Sequence, residues 1–460
     1  MKHLIYAFLA VMIAFTLQAQ DRDQERDRDQ VRLEEHLLIQ DGKVLQIQDR
    51  DRVQLREQLA LQDGSIVYPD GTYRHANGLK LQLQNGQCLD MKGNFYGSSE
   101  QFRQQMQLRN QAENQLHYTF IDGKVQSIQN QEQKQLQQRL NLANGGVLHP
   151  NGNLQLRDQE QKRLRDGECV DPEGNLYNNR DQFRQHMQLQ LQALNQEHFM
   201  YQDGQMHQMQ NGKQEPVREQ LKLQSGLVVN PNGSYKLQNQ ERMQLQQGEY
   251  LDAAGNSYAS REQFRQQALV RLQAMNQAHF EAHNGQLYHV QNQVRARVNE
   301  TLSLPNGMTV NPDASYRLQN RQQNRLSDGE CLDGEGNQFR SQQQYHQHMQ
   351  TRITAMSEPH FQFQDGNVYR FQNHMQYQLH EPWKLGNGGV IKPDGSYTPK
   401  NGKKEMLKNG EYLDMDGKRY ENRERFKDRM EQRVRDRMDL REREKREQRG
   451  KVGSGKRIGN

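Results

Sequence analysis

A histidine returns every 81 residues along this chain, at His36, His117, His198, His279 and His360. Each is followed five and six residues later by Asp-Gly or Asn-Gly: Asp41-Gly42, Asp122-Gly123, Asp203-Gly204, Asn284-Gly285 and Asp365-Gly366. The spacing never changes, so no insertion or deletion separates the five copies. This repeat constrains the fold more than any other feature. Whatever one segment forms its neighbours form too, and a segment of this size can bury only a small core. It also allows the copies to be compared column by column, as a test of which positions are needed.

Composition alone points the other way. Hydrophobic residues are 32% of the chain, charged residues 26%, and the mean hydropathy is −1.18. Glutamine is the commonest residue. A sequence this polar ordinarily reads as disordered or as a low-complexity tract. Fixed turn glycines and fixed apolar positions argue for a fold instead. The formal charge of +5 is small for 460 residues, with acidic and basic groups interspersed, so no specific nucleic-acid partner is expected.

The N-terminus has the pattern of a secretory signal over 1–19. Lys2 and His3 precede an apolar run from Leu4 to Leu17, and Ala19 is a small residue at a cleavage point before Gln20. No other stretch approaches the roughly 20 apolar residues of a membrane span. The expectation is export to the periplasm or the extracellular space, with no transmembrane segment. A charged helical leader, 20–35, precedes the repeats at 36–116, 117–197, 198–278, 279–359 and 360–440, and a basic tail, 441–460, closes the chain.

Within each repeat, alternating apolar residues flank the Asp-Gly, as in His117-Tyr118-Thr119-Phe120-Ile121-Asp122-Gly123-Lys124-Val125, which is a strong hairpin signal. A Leu-x-Leu pair follows (Leu59/Leu61, Leu140/Leu142, Leu221/Leu223, Leu302/Leu304, Trp383/Leu385) and points to one face of a strand. Trp383 stands where the other copies have Leu, so it reads as core filler. Pro-Asp-Gly or Pro-Asn-Gly turns come next, with Pro312-Asp313-Ala314 as the exception. The clearest motif is GECVDPEGNLY (167–177) and its equivalents at 86–96, 248–258, 329–339 and 410–420. An Asp and a Gly three residues on predict a tight turn there.

A helix closes each repeat. Its N-cap column is Ser98, Asn179, Ser260, Ser341 and Asn422, and Gln101, Gln182, Gln263 and Gln344 complete a capping box in four copies. An apolar stripe follows, such as Phe183, Met187, Leu191 and Leu194. The expected fold class is α+β: five tandem 81-residue units, each a small β-meander of about six short strands plus one amphipathic helix of about 16–18 residues.

Two ionisable columns never vary: the five histidines, and Asp90, Asp171, Asp252, Asp333 and Asp414. One His and one Asp are too few for a zinc site or an acid–base pair, so the expectation is no metal, no cofactor and no catalytic residue. His36, His117, His198, His279 and His360 remain the one candidate ligand column. The cysteines Cys88, Cys169 and Cys331 share a column that holds Tyr250 and Tyr412 elsewhere, which fits a half-buried strand position and neither a disulfide framework nor a metal site. Asp414-Met415-Asp416-Gly417 resembles the start of a calcium loop, but unit three has Asp252-Ala253-Ala254-Gly255 there.

The succession of Asp122-Gly123-Lys124-Val125, Leu140 to Gly152 and Leu164 to Gly174 resembles a small secreted bacterial domain of unknown function, built of Gly- and Asp-rich hairpins and often found in tandem in exported Gram-negative proteins. The resemblance covers each repeat except its Gln-rich helix and implies export and hairpin structure, with no activity attached. The expected function is therefore a non-enzymatic exported repeat protein, a multivalent binding or spacer module for an envelope or extracellular partner, protein or polysaccharide. The alternative is a binder of metal ions or acidic polymers through the His column and the basic tail.

Overall fold

The computed structural model describes residues 34–454, apart from 49–50, 156–160, 224, 239, 241, 373–374 and 401. The expected signal segment, nearly all of the charged leader and the last six residues of the basic tail lie outside the described residues.

The first repeat sets the pattern. Its strands are β1 (His36–Gln40), β2 (Lys43–Gln48), β3 (Asp51–Gln54), β4 (Leu59–Ala60), β5 (Ile66–Val67), β6 (Thr72–Arg74), β7 (Lys80–Gln82), β8 (Cys88–Asp90) and β9 (Phe95–Tyr96), followed by helix α1 (Ser99–Glu113). The same nine strands and helix recur, the first strand starting again at His117, His198, His279 and His360, so that strands number consecutively to β45. The other helices are α2 (Arg180–Leu194), α3 (Arg261–Asn276), α4 (Gln342–Ser357) and α5 (Arg423–Ser454). The fold is α+β, made of small antiparallel sheets and five helices among the described residues.

Nine strands replace the expected six, and the chain is not a simple meander. One sheet has the order β3-β2-β1-β8-β9, so β8 returns across the intervening meander β4-β5-β6-β7 to lie beside β1. Strands of two or three residues leave too little alternation to be read from sequence, and a pairing 52 residues apart leaves no local pattern at all. The hairpin turns are as expected: Gln40 pairs with Lys43 across Asp41 (φ 51°) and Gly42 (φ 71°), a two-residue turn whose left-handed backbone matches strand twist. Asn85 Oδ1 accepts from the Gly42 N–H at 2.9 Å and ties that tip to the loop before β8.

Alternation along β1 divides each repeat into three layers. Leu37 and Ile39 face the meander and share a core with Val67, Tyr73 and Leu81, all buried. His36 and Leu38 face the other way, toward Cys88, Phe102 and Met106 under α1. The same split recurs at Phe199 with Val229 and Tyr235, and at Phe361 with Ile391 and Tyr397. Trp383 is core, 7% exposed. The helices start at the expected caps: Ser98, Asn179 and Ser260 accept from the N–H of Gln101, Gln182 and Gln263. The glutamines reach back to the N–H one residue before the cap, on Gly97, Asn178 and Ala259. Four helices are 15 or 16 residues long, and α5 runs for 32, into the segment expected as the basic tail. Where α1 lacks two of the expected apolar positions, Leu108 and Ala112 are buried instead.

The chain forms two bodies. One holds described residues 34–113 with 278–341, and the other holds 114–277 with 342–454. In the first body β30 (Val294–Val298) pairs antiparallel with β7 and joins the sheets of the first and fourth repeats into nine strands. In the second body α2, α3, α4 and α5 pack in succession.

The loops are cross-braced by an Asn. Asn144 Oδ1 accepts from the Gly146 N–H (2.9 Å), and Asn144 Nδ2 donates to the Gly174 carbonyl (3.3 Å). Gly174 has φ +88°, and a Cβ there would lie 2.2 Å from Asn144 Nδ2. Gly174→Ala should therefore destabilise the second body by about 2 kcal/mol or more, from left-handed strain plus the displaced Asn. Urea denaturation followed by circular dichroism checks this, and a change within error of zero would refute the close-approach role.

Candidate functional site: the histidine and aspartate columns

The two invariant columns meet. His36 opposes Asp90 across the β1–β8 ladder, His198 opposes Asp252 and His360 opposes Asp414. All five histidines are buried, none more than 4% exposed. Four of the rings pack on the aromatic residue in the first turn of the helix that closes the repeat: His36 on Phe102 (4.1 Å between centroids), His117 on Phe183 (4.3 Å), His198 on Phe264 (4.3 Å) and His360 on Phe426 (4.4 Å). The Nδ1 atoms of these four lie 2.8–3.0 Å from the carbonyl oxygen two residues earlier, on Glu34, Gln115, Gln196 and Glu358. A carbonyl can only accept, so Nδ1 carries the proton and donates. Burial holds the pKa of His36, His117 and His198 below the ordinary 6.5, and that of His360 at about 4. The rings are neutral packing elements that fasten the first strand of a repeat to the helix that closes it.

The aspartates are hydrogen-bond hubs. Asp90 Oδ1 accepts from the N–H of Lys92 and Asn94 (both 2.9 Å), which closes the turn. Asp90 Oδ2 accepts from Asn94 Nδ2 (2.9 Å) and from the Tyr96 hydroxyl (3.0 Å). The pattern repeats with Asn175 and Tyr177 on Asp171, Asn256 and Tyr258 on Asp252, and Asn337 on Asp333. In the fourth repeat Phe339 replaces the tyrosine, and in the fifth Lys418 replaces the asparagine, while Tyr420 still donates to Asp414 at 2.9 Å. A carboxylate with every lone pair occupied is a structural group, which is why the Asp column never varies.

One partner escapes a reading of the two columns alone. The residue 73 positions after each His is Arg109, Gln190, Arg271, Arg352 and Arg433. Arg271 forms an ion pair with Asp252 and donates to the Tyr258 hydroxyl at 2.9 Å, and Arg433 pairs with Asp414 at 3.0 Å. Arg109 pairs with Glu34 at 2.7 Å instead. In the second repeat Gln190 bonds His186, and burial raises the Asp171 pKa, whereas Arg271 helps to hold that of Asp252 low despite burial. Four arginines in five copies were visible as a column. Their polar character on a helix simply reads as solvent-facing.

The remaining candidates resolve plainly. Cys88, Cys169 and Cys331 are free thiols, fully buried rather than half-buried. Burial pushes the Cys169 thiol up to about 11 and Cys331 up to about 12, so neither is a nucleophile at neutral pH. Asp416 is exposed and pairs with Arg433 at 3.4 Å, so no ring of oxygen ligands forms beside Asp414. Among the described residues no group of three or more His, Cys, Asp or Glu is arranged to hold a metal ion, and no helix is long and apolar enough to cross a membrane.

The succession of hairpin, meander and Asp-centred turn is a recognised one. The family model of a domain of unknown function, DUF6799, matches residues 34–95, 116–176, 196–257 and 358–419. The chain belongs to the DUF6799 family. Each matched stretch ends just before a helix, so the family domain is the two-sheet unit and the helices lie outside it. The strands at 279–341 have the same order, though that segment is not among the matched residues. Curated proteins give no match. Among solved structures, alternansucrase in complex with isomaltononaose aligns with 79% of this chain at 12% identity and a TM-score of 0.09, and this chain covers 23% of that enzyme. A likeness that small carries no argument.

Two predictions follow from the columns. Because the folded-state pKa of the buried histidines lies below the unfolded value of 6.5, acid favours the unfolded chain. Stability should be full above pH 6.5 and fall as pH drops toward about 4, the range set by His360. Urea midpoints measured across that range test it, and a flat profile would reject it. Second, Asp252→Ala strands Arg271 and should lower stability by about 3–5 kcal/mol. Asp171→Ala, at a carboxylate that forms no ion pair with an arginine, should have a clearly smaller effect, and equal effects would refute the contribution of Arg271.

Proposed function

We propose that this chain is a non-enzymatic exported repeat protein, a multivalent binding or spacer module of the cell envelope or extracellular space, with the 81-residue segment as its repeating unit. One observation carries the reading: the only ionisable columns filled in every copy of the sequence are spent on internal bonds, the His in four copies on a backbone carbonyl and a Phe ring, the Asp on its own turn. What five copies then multiply is surface rather than chemistry, and repeated weak contacts gain strength through effective concentration. The Gln-rich helices and charged hairpin edges supply that surface.

The metal branch of the alternative reading, through His36, His117, His198, His279 and His360, is disfavoured by the burial of those rings. The acidic-polymer branch rests on the basic segment at 451–457.

Fractionation of cells producing the full chain tests the proposal. The expected product starts at Gln20, lies in the periplasm or the medium, and co-sediments with isolated envelope material. A product that keeps Met1 and stays in the cytoplasm would overturn the export reading. Isothermal titration of the purified chain with zinc and copper should give no site-specific heat, and stoichiometric binding would restore the metal reading.

A further inference from the structure

The contact between the first and fourth repeats has an unused counterpart. In the first body, the outer strand β30 of one repeat's hairpin sheet pairs with the outer strand β7 of another repeat's meander. The register is Arg297↔Gln82 and Val298↔Leu81, the Asn299 N–H donates to the Lys80 carbonyl, and Lys80 forms an ion pair with Glu300 at 2.6 Å. Pairing covers the strand: Val294 and Ala296 are 5% and 2% exposed. A related contact occurs in the second body, where Arg165 of the second repeat bonds Gln378 and His380 of the fifth. The rule is that the hairpin edge of one repeat meets the meander edge of another.

Among the edges that remain open, one pair copies this contact residue by residue. β3 (Asp51–Gln54) is exposed along its whole length. It carries Arg52, Val53, Leu55 and Glu57 where the paired strand has Arg295, Ala296, Val298 and Glu300. Val53 is 61% exposed, although the matching Ala296 is covered. The best copy of Lys80-Leu81-Gln82 is Arg242-Met243-Gln244, which is β25, the open meander edge of the third repeat. The outer meander strands of the other repeats carry Gln161-Lys162-Arg163, Gln323-Asn324-Arg325 and Lys404-Glu405-Met406, each with a polar or charged residue in place of Leu81. Of the other outer hairpin strands, Glu132 and Lys134 charge one, Pro216 removes the outward N–H of another, and Gln378 in that of the fifth repeat already accepts from Arg165.

We propose that β3 pairs with β25 of a second copy of this chain, antiparallel, in the register Gln54↔Gln244 and Leu55↔Met243, with Glu57 facing Arg242. The occupant is a second copy because the same edge-to-edge contact already exists inside the chain, and the pairing would cover Val53 as it covers Ala296. The contact is heterologous, so each added copy leaves one β3 and one β25 open, and assembly closes as a ring or continues as a fibre.

Sedimentation velocity of the full mature chain over a range of concentrations tests this. The expected result is a mass that rises with concentration. Gln54→Pro, which places a proline where the third repeat already tolerates Pro216, should leave the fold intact and abolish the rise. Glu57→Arg and Arg242→Glu alone should each weaken association, and the double variant should restore it. Three results would overturn the proposal: a wild-type chain that stays monomeric throughout, association untouched by Gln54→Pro in a protein with native circular dichroism, or no recovery in the charge-swapped double variant.

Discussion

Each repeat depends on the pairing between the strand that begins with the histidine and the strand that ends with the aspartate. β1 and β8 are separated by six other strands, and their ladder is what makes one domain out of a hairpin sheet and a separate meander. The ladder stacks the two invariant residues side by side, His36 against Asp90. Around this seam, Leu37 and Ile39 bury the meander on one face, while His36 and Cys88 receive the helix on the other. Without the seam, strands of two or three residues would be too short to survive in water.

Polar atoms do an unusual share of the holding. A repeat has room for only about nine buried apolar residues in its main core, as in the second repeat from Tyr118 to Leu176. Asx-type turns, the Asp–Asn–Tyr hub and the Asn brace between loops satisfy the backbone where so few hydrophobic contacts are available. This arrangement explains how a chain with so little apolar content folds. It also makes the structure responsive to acid, since His36, His117, His198 and His360 are buried as neutral rings.

Much of this was legible in the sequence. The Asp-Gly hairpins, the helix caps at Ser98, Asn179 and Ser260, the core position of Trp383 and the structural character of the Asp column all follow from local chemistry read through five copies. The arginine 73 residues after the histidine in four of the repeats was hidden, because an arginine on a Gln-rich helix looks the same whether it faces water or a buried carboxylate. The cysteine column looked half-buried because tyrosine replaces it. In the structure both side chains lie in the layer under the helix, where Cys169 is covered completely and Tyr412 nearly so.

The sequence by itself determined the family, the repeat and the turns, because these depend on φ preferences, caps and side chains that bond within a few residues of themselves. Only the tertiary structure decided that the eighth strand returns to the first, that two repeats three apart share one sheet through β7 and β30, and which hairpin edges are covered. Those outcomes join residues 52 and 217 positions apart. At such distances no periodicity survives, and the choice falls to burial and hydrogen bonding summed over the folded chain.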